Sequence, residues 1–368
     1  VKEWFYIANA AEVVSPALLI YPDRVGENIR RMIVIAGGVE RLRPHIKTHK
    51  IPEVLRMQMG QGITKFKCAT IAEAEMAADC GAADVLIAYP PVGPNVRRLI
   101  QLVTSFPGIK FSAIVDDAAS IRALAKSLSE AHQTLETLLD IDCGQHRTGV
   151  PPGEKAVELY RLLAGLPGLR PGGLHAYDGH IHDSDLAART RHCQEAFAAV
   201  SRLRQELVNT GLPVPRVIAG GTPTFPMHAR RGDVECSPGT CVFWDASYGA
   251  GFADLDFLPA AVVLTRVVSK PGPNRLCVDL GHKSIASEMP HPRVQFLNLP
   301  AANAVAHSEE HLVVETAHAN EFAVGDCLHG VPWHICPTVA LHSEAVVVEN
   351  GKVTGRWKVV ARERRLTI

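Results

Sequence analysis

Short apolar runs alternate with longer amphipathic stretches over the first two thirds of the chain, an alternation that predicts strands and helices in turn. The strand candidates are "PALLIY" (16–21), "RLRPHIK" (41–47), "KFKCA" (65–69), "DVLIAY" (84–89), "KFSAIVD" (110–116), "LETLLDID" (135–142), "GGLHAY" (172–177) and "RVIAGG" (216–221). Helical patterns such as "TIAEAEMAADCG" and "DLAARTRHCQEAFAAVSRLRQELVNTG" fall between them. In the second, Leu186, Cys193, Phe197, Val200, Leu203 and Leu207 recur at helical spacing. Eight strands alternating with helices is the rhythm of an α/β chain closed into a (β/α)8 TIM-type barrel. A doubly wound open sheet competes with it, but no GxGxxG follows the first strand, which removes the usual support for that fold.

After about residue 245 the texture changes. "AAVVLTRVVSK", "RLCVDLG", "HLVVET" and "EAVVVENGKVTGRWKVVAR" are β-branched, alternating and broken by Gly, Pro and Asn turns, the pattern of an all-β C-terminal domain. The expected domains are a barrel over 16–245 and a β domain over 246–368. Segment 1–15 is too short to fold alone and is expected to join the second.

The 368 residues carry 38 basic and 38 acidic side chains, so no chain-wide field draws nucleic acid or an anionic membrane. No apolar run reaches the roughly 18 residues that span a bilayer, and "VKEWFYIANA" lacks an export signal. The nine cysteines are odd in number, scattered, and form no CxxC pair, which favours reduced thiols and a cytoplasmic location.

A barrel of this kind does its chemistry at the C-terminal ends of its strands. Those ends carry His45, Lys47 and His49; Tyr89; Asp116; Asp142 and Arg147; and His175, Tyr177, His180 and His182. In "RLRPHIK" alternation puts Arg43, His45 and Lys47 on one face. If that face points into the barrel, Lys47 is desolvated among other cations, which lowers its pKa and frees its amine for a Schiff base. An exposed lysine at a strand exit is the plain alternative. Across the barrel, "AGGTPT" (219–224) and "CSPGT" (236–240) can turn several backbone N–H groups toward one phosphate. An inward lysine and a phosphate loop together suggest pyridoxal phosphate.

In "VPWHICPTVALH", His334 and Cys336 are two apart, so on a strand both point to one side, and imidazole with thiolate suits zinc. Two ligands make an open site rather than a structural one; a buried cysteine beside a rim histidine is the ordinary reading. His342 is a spare imidazole. The histidine-rich "DGHIHDSD" could also bind metal, but its spacing is loose and a solvated polar loop is the ordinary reading.

Taken in order, "RPHIKTHK", "FKCATIAEAE", "DVLIAYP", "DCGQHRTGV", "GGTPT", "SPGT" and "HICPT" resemble the D-threonine aldolase and D-serine dehydratase family, pyridoxal-phosphate enzymes of alanine-racemase-like fold. The resemblance implies a barrel followed by a β domain, paired as a homodimer, acting on a small D-amino acid. By the family's pattern Lys47 would bind the cofactor covalently, Gly221, Thr222, Gly239 and Thr240 would hold its phosphate, Arg147 would lie near its phenolic oxygen, and Tyr177 or His175 near its ring. His334 and Cys336 would bind a divalent metal (zinc, manganese or magnesium) close to the substrate's 3-hydroxyl. His45, a metal-bound hydroxide, His180 or His182 would be the base. Ser237 stands where racemases of this fold place an arginine toward the ring nitrogen, which weakens a racemase reading. The expected activity is metal-assisted cleavage of D-3-hydroxy amino acids to glycine and an aldehyde. Elimination to a 2-oxo acid and ammonia, as in D-serine or D-3-hydroxyaspartate dehydratases, is the alternative, favoured by the His-x-Cys arrangement.

Overall fold

Ala17–Ile20 (β1) is buried at every position, so its apolar run suits whichever sheet covers both its faces. In the computed structural model, which describes residues 3–368, that sheet is not the barrel. The chain divides into two compact units, one holding residues 3–29, Thr48–Val54 and Thr240–Arg362, the other Arg30–Lys47, Leu55–Gly239 and Glu363–Ile368. The first two residues of the N-terminal segment lie outside the described residues.

The second of these units is built on seven parallel strands in sequential order. They are β2 (Lys65–Cys68), β3 (Asp84–Ile87), β4 (Lys110–Val115), β5 (Leu135–Asp140), β6 (Leu169–Ala176), β7 (Val217–Ala219) and β8 (Val234–Cys236). The arrangement is TIM-like, as the alternating pattern predicts, with three differences in the strands that make it. β1 is not the first barrel strand. "RLRPHIK" is not a regular strand: Pro44 has no N–H to give a ladder, and 3-10 turns occupy Val39–Arg41 and Ile46–Thr48. It nonetheless fills the eighth position, bridging β8 through Leu42↔Cys236 and β2 through His45↔Lys67. Its amides serve that purpose, with Arg43 N donating to Cys236 O and Lys67 N to Pro44 O, both at 2.9 Å. The third difference is β8 itself, whose three residues "VEC" are too few to show a period in the sequence.

Leu86, Ile114, Leu138 and Ile218 pack together as one apolar cluster on alternating positions of four strands. Below it the fully buried Arg43 guanidinium holds Asp84 and Glu235, each at 2.7 Å. A buried charge is tolerable only when paired in this way. The predicted helices form at Ile71–Asp79 and Leu186–Asn209, capped by Thr70 and Asp185. Of the periodic residues in the longer one, all but the exposed Leu186 are buried.

In the other unit β1 is an interior strand of a nine-stranded sheet. It runs parallel to β15 (Glu344–Glu349) and antiparallel to β9 (Ala261–Gly272). The remaining strands are β10 (Arg275–Val278), β11 (Val294–Phe296), β12 (Asn303–His307), β13 (Leu312–Glu315), β14 (Cys327–Pro332) and β16 (Lys352–Lys358). Asn350 and Gly351, both at positive φ, close the β15–β16 hairpin, as two-residue hairpin turns require. Phe5, Ile7 and Val13 pack with Leu19, Leu264 and Val346 in its core.

Candidate active site

Tyr177 follows β6 directly and is the centre of the polar end of the barrel. Its ring centroid lies 5.7 Å from Lys47 Nζ, 5.5 Å from Lys67 Nζ and 5.3 Å from Arg147 Cζ. Two glycines let the ring lie there: a Cβ on Gly221 would come within 2.9 Å of Tyr177 Cε2, and one on Gly179 within 2.4 Å of Cε1. Lys47 is half-buried in its 3-10 turn, and its amide donates to His45 Nδ1 at 3.3 Å.

The lysine that meets full desolvation is Lys67, 2 % exposed, a residue the motif reading passed over. Burial first, then the charge of Lys47, push its pKa down to about 7. Its signal was present in "KFKCA", where a lysine in mid-strand of a barrel must face one covered side or the other.

His175 and Asp140 form a buried pair, Nδ1 to Oδ1 at 2.7 Å, and Thr148 Oγ1 donates to the other carboxylate oxygen at 2.9 Å. Burial pushes Asp140 up, but His175, Thr148 and Lys67 hold it below its ordinary value. Burial also holds His175 below the usual imidazole range, against the pull of Asp140. A neutral His175 donates from Nδ1 and keeps a bare lone pair on Nε2, which is buried and has no partner among the described residues.

The two loops predicted to cradle phosphate lie after β7 and β8. Gly221 N donates to Thr224 Oγ1 at 3.3 Å and Gly239 N to Thr222 Oγ1 at 3.1 Å. Ser237 Oγ is buried without a partner among the described residues. Thr224 in turn donates to Asp178 Oδ1 at 2.8 Å, and His228 Nε2 meets Asp178 Oδ2 at 2.8 Å. Burial lowers His228, but hydrogen bonds with Asp178 and Cys193 outweigh it and raise its pKa to about 9. Asp178, Cys193 and His228 are also a group of three potential cation ligands, with atoms within 4.8 Å of one another. Asp178 opens the "DGHIHDSD" stretch, but the three are distant along the chain and no spacing in the sequence joins them.

Other strand-end residues do different work. Asp142 accepts from the amides of Gly144 and His146, and Asp116 from that of Gly149 at 2.8 Å, so both shape the loop that carries Arg147. Tyr89 is 54 % exposed and His182 is exposed; His180 is half-buried.

In the sheet unit, His334 and Cys336 do not lie on a strand. β14 ends at Pro332, His334 is the N-cap of the helix Ile335–Leu341, and Cys336 is in its first turn. Their side chains still hydrogen-bond each other; together with Glu288 and Asp245 this raises His334 to about 9, although burial, the largest influence, acts the other way. Glu288 Oε1 accepts from His334 Nδ1 at 2.5 Å. Thr48 Oγ1 and Thr240 Oγ1 lie 3.2 and 3.7 Å from Cys336 Sγ. His342 is not spare, since its Nε2 donates to Ser284 O at 2.8 Å.

Comparison with known proteins agrees with this architecture. The alanine racemase N-terminal domain family matches residues 20–246, and a serine dehydratase domain family matches 260–348. The chain is 31% identical to D-threonine aldolase of Arthrobacter sp, over 96% of this chain and 93% of that protein. It is 31% identical to 3-hydroxy-D-aspartate aldolase of Paracoccus denitrificans, with the same coverage of each. The crystal structure of D-threonine aldolase from Filomicrobium marinum superposes with a TM-score of 0.89, at 29% identity, covering 98% of this chain and 99% of that one. With both halves matched in order, the chain is a lyase-type enzyme of the alanine-racemase-like family that holds the D-threonine aldolases and D-serine dehydratases.

Proposed function

We propose that this enzyme is a pyridoxal-phosphate-dependent, divalent-metal-assisted lyase that cleaves D-3-hydroxy amino acids to glycine and an aldehyde. The observation that carries this reading is the Tyr177 ring with Lys47, Lys67 and Arg147 around it, in the same barrel as two buried atoms with no partner among the described residues, His175 Nε2 and Ser237 Oγ. Such a set fits a phosphorylated pyridine aldehyde: Lys47 is an amine for the aldehyde, Arg147 a cation for an anionic oxygen, and Ser237 a neutral hydroxyl for the ring nitrogen. Bound there, it would supply a sink for the electron pair released at the substrate's α-carbon.

Lys47 is the anchoring amine in this reading, and Gly221, Thr222 and Gly239 hold the phosphate. Asp178, through Thr224, steadies the Gly221 loop. A cation among Asp178, Cys193 and His228 would have to displace the proton that Asp178 and His228 share, so we read that trio as support for the loop. His334 and Cys336, an imidazole and a thiol already in contact, would hold zinc, manganese or magnesium, whose charge favours ionisation of a 3-hydroxyl. His45, whose Nδ1 accepts from the Lys47 amide, would move a proton beside Lys47. We also read the enzyme as a cytoplasmic homodimer, in keeping with nine cysteines of which none is in a disulfide; sedimentation of the purified protein tests the dimer.

Elimination is the second reading, and the match of residues 260–348 to a serine dehydratase domain is what favours it. D-threonine, offered with and without zinc or manganese, separates the two. Glycine with acetaldehyde supports cleavage; 2-oxobutanoate with ammonia supports elimination. Metal-independent racemisation of alanine would exclude both.

A further inference from the structure

Lys67 is a fully buried amine that the proposed roles leave unused. Its register partner across the isolated bridge is His45, so its side chain leaves the backbone on the same face as the histidine two residues before Lys47. Its Nζ and that of Lys47 lie 5.5 and 5.7 Å from the centroid of the same tyrosine ring. Two carboxylates lie near enough to act on it, and both are engaged elsewhere. Asp140 is held by His175 and Thr148, and Asp178 by Thr224 and His228.

A buried ammonium is costly unless a carboxylate is committed to it, and with Asp140 and Asp178 both held by other groups the cheaper state is the neutral amine. Lys47 and the buried Arg43 add like charge, in the same direction. An amine kept uncharged near neutral pH is a base rather than a clamp for an anion.

We propose that Lys67 is a catalytic residue of the cleavage described above, on which this inference rests: it takes the proton of the substrate's 3-hydroxyl and returns it to the α-carbon. The Nζ lone pair accepts the hydroxyl proton, and the O–H electron pair becomes the second bond of the departing aldehyde. The Cα–Cβ bond breaks with its pair left on Cα. The resulting Lys67 ammonium protonates Cα, which gives glycine and restores the neutral amine. One proton moves from oxygen to carbon, and no co-reactant is consumed.

The test has two parts. In the first, protein labelled with 13C at lysine Cε is titrated by NMR without substrate, and compared with Lys67→Met. One resonance titrating near 7 and missing from the variant is expected; a Lys67 resonance that titrates above 9 overturns the proposal. In the second, Lys67→Met and Lys67→Arg are assayed on D-threonine. Both are expected to keep the absorbance of bound cofactor and to lose turnover by about 10²–10⁴-fold. Added methylamine should partly restore Lys67→Met, in proportion to its free base. Full activity of Lys67→Met, or of Lys67→Arg with no rescue of Lys67→Met, overturns the role, the latter pointing to a cation that only holds an anion. If the wild-type enzyme cleaves no D-3-hydroxy amino acid, the functional reading fails, whereas an active wild type matched by Lys67→Met fails this inference alone.

Discussion

His175 gives its Nδ1 proton to Asp140 at 2.7 Å and keeps Nε2 buried and bare. The pair sets both the tautomer and the direction of the one imidazole nitrogen left for a ligand. Asp140→Asn removes the acceptor charge, and a hydrogen bond to a charged group is worth about 1.5–3 kcal/mol. Urea unfolding of that variant should show a loss of that order, with weaker cofactor binding.

The same pair gives a pH dependence with a definite sign. Both groups have folded pKa values below their unfolded ones, so the unfolded chain binds protons first as pH falls. The stability linked to His175 is complete above about pH 6.5 and is lost below it, and that linked to Asp140 is lost further down, below about pH 4. Unfolding midpoints should therefore fall from pH 6.5 downward, and less steeply in His175→Phe.

His228 behaves in the opposite way. Its folded pKa of about 9 lies above the unfolded value, so its contribution is complete below about pH 6.5 and disappears as pH rises through 9. Wild type should lose stability over that alkaline interval, and Asp178→Asn should lose much less. Because Asp178 steadies the Gly221 loop, the variant should also bind cofactor more weakly, read by absorbance titration.

Gly221→Ala tests the approach of loop and ring. Its methyl would stand 2.9 Å from Tyr177 Cε2, inside van der Waals contact, so the ring must move. Overpacking of this kind costs about 1–3 kcal/mol. Cofactor affinity should drop by a corresponding amount; an unchanged titration would mean the ring yields freely.

Lys47→Ala and Cys336→Ala separate anchoring from turnover. The first should abolish the visible absorbance of bound cofactor. The second should retain it while D-threonine cleavage stops. A fully active Cys336→Ala without added metal would remove the metal role given to that thiol.

Much of this was legible in the residues, and the parts that were not have physical reasons. The apolar runs of β2 to β7 and the caps Thr70 and Asp185 mark their elements locally, so pattern suffices for them. β1 belongs to the nine-stranded sheet and not to the barrel, and pattern does not show this, because a strand buried on both faces reads alike in any sheet and its partners lie more than two hundred residues away. Strand alternation does not carry through to Lys47, because Ile46–Thr48 turns as a 3-10 helix after Pro44, and no local pattern marks that turn. His334 and Cys336 come together by a helix cap rather than by strand alternation. Lys67, Asp140 and Asp178 gain their importance from what surrounds them, which spacing alone does not encode.

The placing of Ala17–Ile20 between residues 261–264 and 345–347 also has a consequence for biosynthesis. This strand has to wait, uncovered, until residues 261–264 have left the ribosome before its first neighbour exists, and until residues 345–347 follow for its second. The sheet unit cannot be produced from a clone of its C-terminal portion alone, because an interior rung would be missing. Co-expressing the first thirty residues as a separate peptide should recover soluble material.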